Sequence, residues 1–213
     1  LLVDPYTHTQ ALATKPHPHI PLPSAIFSDR KNAQGLDLSN REAVDQLQQD
    51  IKRYMQKNWS AAPIVSGKVL TGKARKHCSP SDKDKVIGSV VWATDKHVEE
   101  ALQKAHEATQ LWDRTSVVQR ADCLFKAADL LEQRMPMFIA LMVREAGKTL
   151  PDSIAELREA VDFCRYYAAQ ALETFKVVTL PGYTGELNQL SLHGRGVIAC
   201  ISPWNFPLAI FMG

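Results

Sequence analysis

Apolar positions along this chain change spacing several times, and each change predicts a different backbone. Val44, Leu47, Ile51 and Met55 recur three or four residues apart, the repeat that gathers side chains on one face of a helix. Ser39-Asn40-Arg41-Glu42 precedes them as a capping box, so a helix is predicted over about residues 40–57. The periodicity then lapses from Ala62 to Ser81, with short β candidates at Ala62–Val65 and Lys68–Leu70. There the basic cluster Lys73-Ala74-Arg75-Lys76 reads as a solvated loop. Val86-Ile87-Gly88-Ser89-Val90-Val91-Trp92 is short and β-branched, the look of a strand.

From Thr94 the helical repeat returns for about eighty residues. Val98, Ala101, Leu102, Ala105 and Trp112 form one stripe. Ser116 caps a second helix carrying Ala121, Leu124, Phe125, Ala128 and Leu131. Pro136 interrupts and restarts it, and the stretch Met137 to Ala146 ends at Gly147, where a residue free to take positive φ is wanted. Asp152 opens a third helix with Ile154, Leu157, Val161 and Ala168 inward and Glu156, Glu159 and Asp162 on its polar side. Beyond a turn at Pro181–Gly185 and a β candidate at Leu190–Leu192, Gly196-Val197-Ile198-Ala199-Cys200-Ile201 is apolar and bounded by glycine and proline. That pattern predicts a strand buried on both faces of a parallel sheet. The mixture of elements is that of an α/β fold.

Residues 1–30, centred on Pro16-His17-Pro18-His19-Ile20-Pro21-Leu22-Pro23, have no helical period and read as a semi-rigid extended linker. Two neighbouring imidazoles without a third ligand in view do not make a metal site. Lys+Arg 25 against Asp+Glu 23 leaves a formal +2 with no basic stripe, which excludes the electrostatic footprint of a nucleic-acid binder. The longest apolar run, Pro136 to Val143, is under half of the roughly 20 residues a bilayer span needs. Cys78, Cys123, Cys164 and Cys200 lack metal or disulfide spacing and point to a reducing, cytoplasmic setting. Neither end carries a start, signal or stop pattern, so the chain is expected to be a piece of something longer.

Gly194-Arg195-Gly196-Val197-Ile198-Ala199 matches the dinucleotide pattern G-x-G-x-x-A, but it runs into a strand rather than out of one, so its glycines read as a turn. Cys200 lies among apolar residues and reads as a buried structural thiol, as do Cys123 and Cys164 in their helices. The segment Ser202-Pro203-Trp204-Asn205-Phe206-Pro207 is different. Two prolines fix the backbone around Asn205 at the carboxyl end of the expected strand, where open α/β sheets place ligands. From the residues alone, the carboxamide either donates a hydrogen bond to a substrate oxygen or closes the turn.

Ile201-Ser202-Pro203-Trp204-Asn205-Phe206-Pro207-Leu208 resembles the I-S-P-W-N-F-P-L signature of the NAD-dependent aldehyde dehydrogenase superfamily, and Arg144-Glu145-Ala146-Gly147-Lys148-Thr149 resembles its helix-ending motif. Leu22-Pro23 through Ser39-Asn40, with Asp29-Arg30, Gly35 and Leu36-Asp37-Leu38, and Ala155 through Phe163, are similar to the bacterial proline utilization A family. Members of that family fuse a flavin-dependent proline dehydrogenase to an NAD-dependent dehydrogenase of L-glutamate γ-semialdehyde, the open form of Δ1-pyrroline-5-carboxylate.

The resemblance implies that residues 1–30 are the tether after the FAD-bearing barrel. Residues 31–213 would be the leading part of the aldehyde dehydrogenase fold, a helical segment plus the first strand of its Rossmann-like sheet. It places Ile201, Ser202, Pro203 and Trp204 along NAD, makes Asn205 the oxyanion donor, sets Phe206 on the aldehyde channel and turns Glu159 towards the substrate ammonium, the alternative for Glu159 being a solvated helix carboxylate. It also puts the nucleophilic cysteine, the general base and the main NAD-holding residues after Gly213, so the isolated chain is expected to be inactive and to need the rest of its own domain, in an oligomeric parent. Another aldehyde dehydrogenase, or a non-catalytic scaffold, remains as an alternative at this stage.

Overall fold

The structure is a computed structural model that describes residues 17–213 together with Asp4 and Thr7. The remainder of the expected linker, including Leu1-Leu2-Val3, lies outside the described residues. Residues 17–29 are exposed, with one 3₁₀ turn at Pro23–Ala25.

Helix α1 runs Arg41–Met55 and buries Leu47 and Ile51. Asn40, not Ser39, caps it, its side-chain oxygen accepting from the Ala43 N–H at 3.3 Å. Ser39 is already engaged: the Asp37 carboxylate accepts from its N–H and its hydroxyl at 2.9 and 2.7 Å. An aspartate two residues upstream therefore moves the cap by one position.

Strands β1 (Trp59–Ala61), β4 (Ala74–Cys78) and β5 (Val86–Val91) form a sheet of order β1-β5-β4, while β2 (Ile64–Val65) and β3 (Lys68–Val69) pair as a separate antiparallel hairpin. β1 runs parallel to β5 with Trp59 opposite Gly88, and β4 runs antiparallel to it with a register shift at His77/Cys78. The basic cluster expected as a loop is thus mostly an edge strand. Ala74, Arg75 and Lys76 are exposed, and charged side chains along an edge discourage pairing with another chain. Gly88 is required by close approach, because a Cβ there would lie 2.0 Å from the Trp59 carbonyl oxygen.

Helix α2 (Asp95–Arg114) is capped by Thr94, which accepts from His97 N–H while the His97 ring accepts from Thr94 N–H. Its expected inward stripe is on the outside. No α2 residue is buried, and Val98, Leu102 and Trp112 are about half exposed, the exposed 194–198 segment being what lies beside Ala105 and Trp112.

Helices α3 (Val117–Gln133), α4 (Met135–Glu145) and α5 (Leu150–Thr174) form the helical layer. Ser116 caps α3 as expected, and Pro136 sits in the first turn of α4, where its missing N–H costs nothing. Gly147, at φ +66°, turns the chain out of α4. Thr149 rather than Asp152 caps α5: its hydroxyl accepts from Asp152 N–H and donates to the Asp152 carboxylate at 2.7 Å. The core is the meeting of α1, α3, α4 and α5 around Ile51, Ala128, Leu131, Ile139, Leu157 and Val161.

A strap ahead of α1 crosses this layer. Ala33 is buried and its N–H donates to Asp162 at 2.7 Å, Gln34 N–H donates to Glu132 at 3.0 Å, and the Arg30 guanidinium lies 3.8 Å from the Phe27 ring centroid and 5.1 Å from that of Tyr166.

After α5 the chain forms an exposed hairpin, β6 (Val178–Leu180) with β7 (Asn188–Leu190). Only Leu190 of the expected Leu190–Leu192 candidate joins the ladder, and its partner strand was not anticipated. The stretch 196–201, expected as a doubly buried strand, belongs to no ladder and is exposed. A strand exists through its neighbours' hydrogen bonds, and no strand among the described residues lies beside it. For the same reason Cys200 is exposed, contrary to expectation. Cys123 is exposed too, on the outer face of α3, whereas Cys164 is buried, and burial pushes its thiol pKa up. Short helix α6 (Ala209–Met212) packs against α5.

Candidate active site

The site is assembled where the end of α4, the start of α5 and the proline-flanked elbow meet. Arg144, 6% exposed, donates to the carbonyls of Tyr54 and Lys57 at 3.3 and 2.5 Å, fixing the end of α4 to the end of α1. Gly147 then redirects the chain, Lys148 follows, and Thr149 begins α5.

Glu156 lies one turn into α5. The expectation that it shares the polar side with Glu159 is overturned: it is 2% exposed, among the buried neighbours Ser153, Leu157 and Ala160. Its Oε1 accepts from Leu208 N–H at 2.8 Å and Ala209 N–H at 3.2 Å, and its Oε2 is ion-paired with Lys148. The Lys148 Nζ also sits 4.9 Å from the centroid of the Phe206 ring. The position could have been read from spacing, since 153, 156, 157 and 160 share one helical face. Residue type argued the other way, because glutamate is almost never fully buried without a partner, and that partner is close only in three dimensions.

Residues 204–208 turn tightly before α6. Asn205 is exposed, and its carboxamide has no hydrogen-bond partner among the described residues, so its donors remain available. Phe206 is 37% exposed beside Lys148. Glu159 is exposed on α5, one turn beyond Glu156 and one turn before Phe163, whose ring lies against Gly213. Helix α6, which follows the elbow, thus runs along the stretch of α5 from Glu156 to Phe163 that carries Glu159.

Ile201 and Trp204 are 96% and 84% exposed, with Ser202 and Pro203 exposed between them. This ribbon offers apolar surface and backbone groups in no ladder, which suits one flat face of a nicotinamide dinucleotide. It contains no cation for the phosphates, which would have to be met by other residues. The G-x-G-x-x-A glycines make no phosphate cradle: Gly194 N–H donates to Asp113 of α2 at 2.7 Å, and that amide, followed by the His193 ring, holds the Asp113 carboxyl below its usual range. Among the described residues no group of three His, Cys, Asp or Glu could hold a metal ion, and no helix is long and apolar enough to cross a membrane.

Comparison with known proteins adds to this geometry. The profile of the Aldehyde dehydrogenase family matches residues 70–213. The bifunctional protein PutA of Escherichia coli K12 is 38% identical over 220 residues, covering 100% of this chain and 16% of the relative. The crystal structure of proline utilization A from Bdellovibrio bacteriovorus superimposes with a TM-score of 0.82 at 31% identity, over 95% of this chain and 21% of that one. A Thermus 1-pyrroline-5-carboxylate dehydrogenase crystallised with bound NAD gives a TM-score of 0.80 at 29% identity, over 88% of this chain and 37% of that one. The chain therefore spans only a minor part of the length of the relatives it matches.

Proposed function

Because the chain belongs to the aldehyde dehydrogenase family, we propose that it is the leading segment of an NAD-dependent L-glutamate γ-semialdehyde dehydrogenase within a cytoplasmic, bifunctional proline-catabolic enzyme. The similarity of the whole chain to a bifunctional PutA protein, and of most of it to a 1-pyrroline-5-carboxylate dehydrogenase, supports the substrate and the fusion. The feature that supports the chemical role most is the uncommitted carboxamide of Asn205 in a proline-braced turn.

On this reading a thiolate from elsewhere in the domain adds to the aldehyde carbon, and the carbonyl electron pair moves onto oxygen. Asn205 donates its amide N–H to that oxyanion, a neutral donor that needs no proton transfer and little reorganisation. Phe206 walls the approach, and Glu159 offers a carboxylate to the substrate ammonium. Ile201 to Trp204 would hold NAD, which when bound would supply the hydride acceptor, and collapse of the oxyanion with loss of hydride leaves a thioester. Water then cleaves that ester, giving glutamate and restoring the thiol.

Asn205→Ala in the full-length enzyme should lower kcat at least about tenfold, since loss of one oxyanion donor typically costs a factor of about 10²–10³. NAD affinity should change little. Steady-state kinetics with an NAD titration check both, and an unchanged kcat would remove Asn205 from the chemistry. The 213-residue chain alone should form no NADH from pyrroline-5-carboxylate and NAD, and measurable turnover would show that these residues contain their own nucleophile.

A further inference from the structure

We propose that Glu156, held by Lys148, is a positioning residue for the Asn205 carboxamide. The proposal rests on the oxyanion role given to Asn205 above. Glu156 takes the N–H groups of Leu208 and Ala209, three and four residues after Asn205, on a single carboxylate oxygen. Lys148 pairs with the other oxygen and touches the ring of Phe206, the residue next to Asn205. The downstream arm of the elbow is therefore tied to α5 through backbone amides and an aromatic face at once.

Upstream, the nearest hydrogen-bonded anchor is Gly194 on Asp113 of α2, eleven residues before Asn205. Residues 195–203 between them are exposed and lie outside every ladder, so the nearer constraint on the orientation of the turn is the downstream one. Burying a carboxylate and an ammonium costs several kcal/mol per ion before their attraction offsets it, and apolar side chains often fill such a site with equal or greater stability. A side chain 2% exposed that spends its oxygens on two elbow amides and a lysine is better explained by orientation than by stability. An oxyanion donor works only at about 2.7–3.1 Å from the developing charge, and a misplacement of about 1 Å costs a factor of about 100.

A double-mutant cycle in the full-length enzyme tests this, read as kcat with the aldehyde saturating and as the dissociation constant for NAD. Glu156→Ala should lower kcat about tenfold or more while NAD affinity stays within about twofold. Added to Asn205→Ala, it should lower kcat by less than about a further twofold, because residues acting through one interaction are not additive. Glu156→Gln keeps an acceptor for the two amides but leaves Lys148 uncompensated, and it carries the same cycle should Glu156→Ala fail to fold. Adding Lys148→Met to Glu156→Gln should restore kcat to within about threefold of wild type, since a neutral acceptor still holds the elbow.

Losses that multiply in the cycle, or a Glu156→Gln/Lys148→Met enzyme no better than Glu156→Gln, would overturn the positioning role even though Asn205→Ala is slow. A normal kcat in Asn205→Ala itself would instead overturn the role of Asn205, and the proposal with it.

Discussion

Leu157→Ala is expected to lower the free energy of unfolding by about 2–5 kcal/mol, the range for deleting a large aliphatic side chain from a packed core. Leu157 is fully buried on α5, among core residues from α1, α3 and α4. Truncation removes contacts with several elements at once and leaves a cavity that four helices must collapse to fill. Domains of this size have about 5–15 kcal/mol in total, so the loss would be a large share. Denaturant unfolding followed by far-UV ellipticity should show a lower midpoint at unchanged slope, with Leu111→Ala, 74% exposed on α2, within about 0.5 kcal/mol of wild type. A Leu157→Ala midpoint indistinguishable from that of Leu111→Ala would mean that the four helices do not share one core.

Removing the guanidinium that joins α5 to α3 should have a comparable effect. Arg165, 3% exposed, donates to both oxygens of Glu132 at 3.1 and 2.7 Å and to Asp129 at 2.9 Å. In Arg165→Ala the partly buried Glu132 keeps only the Gln34 N–H, and breaking such a pair from one side costs about 3–5 kcal/mol. Truncating both sides, as Arg165→Met with Glu132→Leu, should be much milder.

The same group sets an acid limit. Burial pushes the Glu132 carboxyl up, but the Arg165 and Gln34 hydrogen bonds and the charges of Arg165 and Lys31 outweigh it, leaving the folded-state pKa below its usual value. A depressed carboxylate contributes stability that is fully present above the unfolded-state value of about 4.3 and is lost as the pH falls through the folded-state value. Stability measured from neutral pH downward should therefore fall less steeply in Glu132→Gln than in wild type. Equal slopes would mean that Glu132 carries no linkage.

Legibility in the sequence followed how local each determinant is. The cap of α3, the proline of α4 and the glycine after it announce themselves within a few residues, and they stand where their spacing puts them. Strand β4 was hidden because an edge strand with solvent on its charged positions has no apolar alternation to display. The α2 stripe and residues 196–201 misled in the opposite sense: their pattern describes what should cover them, and among the described residues neither becomes buried. Around the candidate site, Asn205 was visible through its prolines, whereas Glu156 was concealed by its charge. Only the approach of Lys148, Leu208 and Ala209 makes burial of that carboxylate tolerable.

The strap over α3 and α5 changes how any preceding module would be leashed to this one. Its last pinned point is Arg30 rather than the start of α1. At most about 3.3–3.6 Å of reach per residue is available to an extended chain, so holding the ten residue-to-residue steps from Arg30 to Asn40 withdraws up to about 35 Å of slack. A neighbour attached upstream would sample a much smaller volume, and its effective concentration at this surface would rise accordingly.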